Sequence, residues 1–373
     1  MYALERNLED QIKRIDKPKP GLIFPEINDA RVMIAASKLF DYADILIPSP
    51  QENVKNLIIT EKIALEVSVE EFMNRLITVD IDESHLLQNE FQTELLKLGQ
   101  GKKWQLSTKE AAEWARNPLI FSIMMVRKGY ANAILGGLHY ASKDYFTPCL
   151  RLLEKEKPVF ELGLFVLPDE HPSGIFKENI VVFSDVAINP APNAEALANI
   201  ALGTCKIVRD LIPESVLPTI NGAIVCYSTK GSGEGASIEL VREAEKMMPA
   251  KLAALRKDDP SYTTIQIESE LQMSVAISEK AARKKIKAIE NHPAAGKANV
   301  IIVTNLDFGN SLYHLYATTW PESLKLLQIG GLYSQALDFS RSSTVEDVVL
   351  AAKALLLQIL KKADYNGRKP VIG

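Results

Sequence analysis

Cysteine is scarce in this sequence: Cys149, Cys205 and Cys226 are the only three in 373 residues, far apart and odd in number. They imply no disulfide framework. Histidine is also thin, with His85, His139, His171, His292 and His314 scattered at no metal-ligand spacing, so surface or core roles and no metal site are expected. Long apolar runs are missing. The longest, FSIMMV at 121–126 and ANVIIV at 298–303, fall far below the ~18 residues of a membrane helix. Neither sign of charge dominates: 43 Lys and Arg stand against 47 Asp and Glu, a formal net charge of −4, which argues against a nucleic-acid partner. No repeat of fixed period and no low-complexity segment occurs. The opening MYALERNLEDQIKRIDKPKP is charged and has no apolar signal region, so a soluble, cytoplasmic protein is expected. What is present is a globular mixture, 47% hydrophobic and 24% charged, with ample material for a core. At about 150 residues per domain, the length suggests two domains or one large one.

Strand-like and helix-like segments alternate along the chain. PGLIF, DILIP (44–48), ANAILGGL (131–138), VFELGLFVLP (159–168), NIVVFSDVAIN (179–189), GAIVCYS (222–228), IQIESEL and KANVIIVTNL (297–306) read as strands. DEHPSG, between the fourth and fifth of these, suggests a hairpin-like connection. ARVMIAASKLFDYA, a charged stretch over 61–127, YFTPCLRLLEKEK, AEALANIALGTCKIVRDL, SIELVREAEKMM (237–248), NSLYHLYATT and VEDVVLAAKALLLQILKKA read as helices. Strands separated by helices predict parallel βαβ units, hence an α/β fold. Domain crossovers are expected near Lys155–Pro158 and Trp320–Leu324. This gives a first domain of 1–156 plus 322–373 and a second of 157–321.

The sharpest local feature is Ser228-Thr229-Lys230-Gly231-Ser232-Gly233-Glu234-Gly235, between an apolar strand and an amphipathic helix. Glycines let backbone N–H groups approach an anion, the helix start adds partial positive charge, and Ser, Thr and Lys add donors and a cation. A phosphate-like guest is expected, although neither the Walker A nor the dinucleotide fingerprint is present. The alternative is a surface loop rich in small residues. Asp307-Phe308-Gly309-Asn310-Ser311 has similar grammar, and Asn310 is expected to cap the following helix. Asp338-Phe339-Ser340-Arg341-Ser342-Ser343-Thr344-Val345-Glu346-Asp347 contains an ordinary capping arrangement from Ser343 or Thr344 onward. Capping does not account for Arg341, a cation at a helix start where anions are favoured.

Taken in order, these segments resemble one family, the phosphate acetyltransferases (phosphotransacetylases). Phe24-Pro25-Glu26 with Asp29 and Arg31 resembles its L-P-E-x-x-D-x-R opening, and Val126 to Ala131 with Gly137 resembles its M-V-x-x-G-x-A-D-G segment. Ser184 to Pro190 resembles A-D-x-A-x-N-P, Tyr227 to Gly233 resembles F-S-T-K-G-S, and Glu270-Leu271-Gln272 resembles G-E-L-Q. Gly296 to Val300 with Leu306, Gly309 and Asn310 resembles G-K-A-N-V…D-L-N-A-G-N, and Ser340-Arg341 with Asp347 resembles S-R-x-x-x-x-x-D.

The resemblance implies two α/β domains with a central cleft, an isocitrate/isopropylmalate dehydrogenase-like architecture, and a homodimer. It implies transfer of an acetyl group between the thiol of coenzyme A and phosphate. The substrates are then acetyl-CoA and phosphate, or coenzyme A and acetyl phosphate, and no metal or other cofactor is required. By the same resemblance Asp347 is the thiol base, Ser340 hydrogen-bonds the thiol or the carbonyl oxygen, and Arg341 stabilises developing negative charge. Ser228, Thr229, Lys230, Gly231, Ser232 and Asn310 would hold substrate, and the lysine-bearing loop and the Ser340–Arg341 turn should face one crevice. Two arginines of the family pattern are replaced here, by Thr147 before Pro148 and by Leu96 after Leu95. Arg151, one helical turn after Thr147, is the expected substitute. The replacements also leave open a butyryltransferase-type specificity or a non-catalytic relative that binds coenzyme A or acyl phosphate.

Overall fold

A computed structural model describes residues 3–168, 176–333 and 335–371. The expected DEHPSG connection and His171 lie outside the described residues. Among the described residues eleven strands occur in chain order: β1 (Gly21–Ile23), β2 (Asp44–Ile47), β3 (Ile77–Thr78), β4 (Ala133–Gly136), β5 (Phe160–Val166), β6 (Ile180–Ser184), β7 (Ile220–Val225), β8 (Ile265–Leu271), β9 (Val300–Ile302), β10 (Leu324–Gly330) and β11 (Ala336–Asp338). They divide between two compact units, residues 1–155 with 332–373 and residues 156–331.

The first unit carries a parallel five-stranded sheet, ordered β11-β4-β1-β2-β3. Apart from the half-buried edge strand β3, its strands are short and almost wholly buried, so they read as continuous apolar runs, as expected for a sheet covered on both faces. The helix Val345–Lys361 is buried nearly all round, the mark of a helix inside a core. One polar residue in it, Lys353, is explained by a partner helix, Ala3–Lys13. Leu4, Leu8 and Ile12 recur at helical spacing on its buried face, and Glu5 and Glu9 bind the Lys353 ammonium at 2.8 and 2.5 Å. A buried charge held by two carboxylates avoids the penalty of an unpaired one.

The second unit holds a six-stranded sheet, β10-β5-β6-β9-β7-β8. Pairings among β6, β9, β7 and β8 are parallel, whereas β10–β5 and β5–β6 are antiparallel. The βαβ reading therefore holds for all of the first sheet and part of the second. The second crossover corrects the expected boundary at 322. Leu324–Gly330 pairs along its full length with β5, so the chain leaves the second unit at Gly331. The helix expected over 237–248 runs from Ala236 to Asp258, straight through Pro249.

Candidate functional site

In a parallel sheet, loops at the carboxyl ends of the strands collect ligands, above all where the strand order reverses. In the first unit the chain steps from β1 outward to β2 and β3, then returns to the other side of β1 with β4 and β11. The reversal lies between β1 and β4. A pocket of about 470 Å³ opens there, its walls including Pro25, Glu26, Ile27, Pro48, His139 and Tyr140. Glu26, at the end of β1, is buried and accepts three successive backbone N–H groups, from Leu138 (3.0 Å), His139 (2.7 Å) and Tyr140 (3.0 Å). Gly137 makes this possible: its φ of +102° turns the chain at the end of β4, a conformation suited to glycine.

Three residues further along, Asp29 caps the helix Ala30–Leu39 by accepting from Arg31 N at 2.8 Å. The Asp29 carboxylate also receives Arg31 Nε (3.0 Å) and Nη2 (2.7 Å), and lies 3.0 Å from His139 Nε2. Burial pushes the Asp29 carboxyl up, but the Arg31 hydrogen bonds and charge, with His139, outweigh it and leave it below its ordinary value. The other arm of Arg31, Nη1, donates to the carbonyls of Arg341 (2.9 Å) and Ser343 (2.7 Å). Sequence reading quoted Glu26, Asp29 and Arg31 only as carriers of a resemblance. Their structural signal was an arginine in the first turn of a helix, directly behind an Asp cap.

Ser340 and Arg341 follow β11 into the helix Val345–Lys361. Ser340 Oγ lies 2.9 Å from Ser342 Oγ and accepts from Ser342 N at 3.3 Å, while its carbonyl accepts from Ser343 N at 2.8 Å. These bonds form a tight turn. Arg341 is exposed, and its guanidinium makes no ion pair among the described residues. Asp347 is buried and completes a capping box: its Oδ2 accepts from Thr344 N at 2.9 Å, and its N–H donates to Thr344 Oγ1 at 3.1 Å. Capping thus accounts for Asp347 as well as Thr344, and it fixes the carboxylate in the first turn of the helix, six residues beyond Arg341.

Arg151 is placed differently from the expectation. It lies in the last turn of the helix Ser142–Leu152, about 13 Å along the axis from the start that adjoins β4. Its guanidinium sits 6.0 Å from the ring centre of Trp104. A helix that follows a parallel strand runs back toward the amino edge, so this residue is not carried to the turn of Ser340 and Arg341.

In the second unit the Ser228–Ser232 loop leaves β7 beside the end of β8, on the carboxyl side of the sheet. The loop does cradle an anion, but the anion belongs to the chain. The Glu270 carboxylate accepts Ser228 Oγ (2.7 Å), Gly231 N (2.6 Å) and both arms of Arg242 (each 2.9 Å). The Arg242 bonds hold Glu270 at a pKa of about 2, against burial, with Gly231 and Ser228 adding to them. Thr229 N donates to Ser232 Oγ at 2.9 Å, and Thr229 Oγ1 accepts from Gln272 N at 3.2 Å. Lys230 is equally committed. Its ammonium lies 3.0 Å from Glu245 and 3.3 Å from Glu268, whose carboxylate also meets His292 Nδ1 at 3.1 Å. Burial works to lower the Lys230 pKa, but the two carboxylates prevail and raise it. Expected to offer a cation to an anionic guest, Lys230 is paired with carboxylates of its own unit.

Asn310 does not cap its helix. The helix begins at Leu306, capped by Asn305, whose Oδ1 accepts from Phe308 N at 3.0 Å. Asn310 lies in the second turn, exposed, and Nδ2 donates to the Val186 carbonyl at 3.2 Å. It thereby joins the turn after β6, where Asp185 accepts N–H groups from Ala187, Ile188 and Asn189. Among the described residues no three His, Cys, Asp or Glu side chains gather to hold a metal ion, and no helix is long and apolar enough to cross a membrane. Cys149 and Cys205 are buried, and burial pushes both thiols up, Cys205 to about 12.

Relatives of known kind share this chain's sequence and fold. A phosphate acetyltransferase of Helicobacter pylori is 27% identical over 372 residues, 97% of this chain and 62% of its own length. One of Thermoanaerobacterium thermosaccharolyticum is 26% identical over 349 residues, covering 92% of this chain and 96% of its own. The crystal structure of a phosphotransacetylase from Streptococcus pyogenes superposes with a TM-score of 0.75 at 25% identity, over 95% of this chain and 98% of that one. The EutD phosphotransacetylase of Staphylococcus aureus, at 23% identity and a TM-score of 0.72 over the same shares, supports the fold. The family model described as phosphate acetyl/butaryl transferase matches residues 7–355. With two α/β units, a Ser–Arg turn leading into an Asp-bearing helix and a match over nearly its whole length, this chain belongs to the phosphate acetyl/butaryl transferase family.

Proposed function

We propose that this chain is an acyltransferase that moves an acetyl group between coenzyme A and phosphate: acetyl-CoA + phosphate = CoA + acetyl phosphate. The observation that carries the reading is the turn after β11. It presents an exposed guanidinium, Arg341, and a hydroxyl, Ser340, just ahead of a helix whose first turn carries a buried carboxylate, Asp347. In the direction of acetyl-CoA synthesis, Asp347 takes the thiol proton. The sulfur attacks the carbonyl carbon of acetyl phosphate, the C–S bond forms, and the C–O bond to phosphate breaks with phosphate leaving. A thiol of pKa ~8.5 needs such a base near neutral pH. Ser340 bonds the thiol or the carbonyl oxygen, and Arg341 meets the charge growing on that oxygen or on phosphate. One preorganised donor of this kind is worth about 3 kcal/mol.

The Ser228–Ser232 loop and Asn310 are assigned to substrate, but Glu270 already occupies the loop and Glu245 with Glu268 neutralises Lys230, which leaves Arg341 as the principal anion ligand. Coenzyme A enters as substrate, no cofactor is needed, and the protein works as a cytoplasmic homodimer.

The test is release of free thiol from acetyl-CoA on addition of phosphate. Arg341→Ala and Asp347→Asn should each lower turnover at least tenfold, a barrier change of about 1.4 kcal/mol. Rates near wild type in both variants remove the assigned roles. No thiol from acetyl, propionyl or butyryl donors, together with binding of coenzyme A, would establish a binding protein instead. A second reading, transfer of a longer acyl group, is favoured by the apolar walls Pro25, Ile27, Pro48 and Tyr140 of the switch-point pocket. A higher kcat/KM for butyryl-CoA than for acetyl-CoA decides for it.

A further inference from the structure

We propose that Arg31 is a positioning residue for acyl transfer: it braces the turn that presents Ser340 and Arg341, and it does not bind substrate. The inference rests on the transferase reading above. Arg31 stands in the first turn of the helix Ala30–Leu39, where the helix dipole disfavours a cation. Asp29 offsets that cost as cap and counter-ion at once, and it fixes the guanidinium plane by a two-point contact. The opposite arm, Nη1, then reaches the carbonyls of Arg341 and Ser343 at 2.9 and 2.7 Å, across more than 300 residues of sequence.

Counting donors separates a brace from a substrate ligand. A guanidinium has five N–H groups. Nε and one Nη2 hydrogen go to Asp29, and both Nη1 hydrogens go to the two carbonyls. The remaining Nη2 hydrogen points toward the Leu138 carbonyl at 3.5 Å. None is left for phosphate. The bonds fall on backbone atoms at residue 341 and two residues beyond it, so they fix where the Arg341 side chain begins while leaving its guanidinium free. Reacting groups displaced by about 1 Å lose on the order of a hundredfold in rate, so a loosened turn should appear in turnover and not in binding.

Arg31→Lys and Arg31→Ala in the full chain, assayed with acetyl-CoA and phosphate, test this. Lysine keeps the charge without the planar fork. Both variants should lose at least tenfold in kcat, with both KM values within threefold of wild type and the melting midpoint within a few degrees. Millimolar guanidinium should restore part of the Arg31→Ala rate and leave wild type unchanged. A raised KM at unchanged kcat makes Arg31 a substrate ligand and overturns the inference. Unchanged kinetics overturn it too, as does a rate loss that only tracks melting and resists rescue. An independent readout is amide exchange at Ser342 and Ser343. Acceleration of tenfold or more in Arg31→Lys supports the brace, and unchanged exchange overturns it. If wild type itself releases no thiol, the transferase reading fails, while exchange still decides whether Arg31 holds the turn.

Discussion

Glu26 and Glu270 do the same job in different units. Each places a carboxylate against the donors of a glycine-bearing loop, three successive backbone N–H groups for Glu26 and the Gly231 N–H with the Ser228 hydroxyl for Glu270, a setting that in other proteins receives phosphate. Sequence reading identified the loop of Ser228–Ser232 as an anion cradle on sound grounds, because the composition is that of one. It missed the guest, since Glu270 lies on a neighbouring strand and pairing between β7 and β8 brings it in. Lys230 shows the same limit. Its type and place were legible, but the carboxylates of Glu245 and Glu268 that neutralise it arrive from a helix and a strand elsewhere in the chain. The paired state of Glu270 has a consequence for stability against pH. Its pKa is about 2 in the fold, against 4.5 for an ordinary glutamate. A depressed folded-state value stabilises the fold above the unfolded value, and that contribution is lost as pH falls through 4.5 toward 2. We expect Glu270→Gln to lower stability at pH 7 by on the order of 2 kcal/mol, with the gap to wild type closing toward pH 3. Equal denaturation midpoints for the two proteins at pH 7 would remove this role.

Elements with a strong apolar period were legible, and elements made by context were not. The helix Val345–Lys361 and strands β4, β5, β6, β7 and β9 follow from runs or alternations in the sequence. The helix Ala3–Lys13 was passed over as a charged opening, although Leu4, Leu8 and Ile12 share one face. Its charges distracted from them, and two of those charges turn inward to Lys353. β10 was missed because the crossover was placed near Trp320–Leu324 and the run after it was given no element, and β11 because three residues carry too little pattern. The loops after β4 and β11 are fitted closely to each other. Phe339 N donates to the Gly136 carbonyl at 2.8 Å, and a methyl group on Gly137 would lie 2.8 Å from both the Phe339 N and O atoms. Gly137→Ala combines a positive φ with overlap against backbone, so it should cost about 1–3 kcal/mol or more. Because the overlap falls next to Ser340, it should also depress turnover. A melting curve unchanged from wild type would show that the β11 loop yields freely.

The chain passes from the first unit to the second after Lys155 and returns after Gly331. The second unit is thus one continuous stretch with its own sheet and an apolar cluster that includes Phe165, Phe183, Val225, Ile301 and Tyr313. We expect residues 156–331, expressed alone, to melt cooperatively. Residues 1–155 alone lack β11 and the buried helix Val345–Lys361, which leaves the edge of β4 open and should favour aggregation. Circular dichroism and size-exclusion chromatography test both statements. A second-unit fragment without a cooperative transition would contradict the division.

The same interruption orders events on the ribosome. The nascent first unit has four of its five strands early, then waits while the whole second unit is translated, on the order of ten to thirty seconds at ordinary elongation rates. Only then do the closing strand and its serine–arginine turn emerge. A polypeptide stalled within the second unit would therefore contain the pocket at the end of β1 and β4 without the residues assigned to the chemistry, and turnover is expected only once β11 and the helix Val345–Lys361 have emerged.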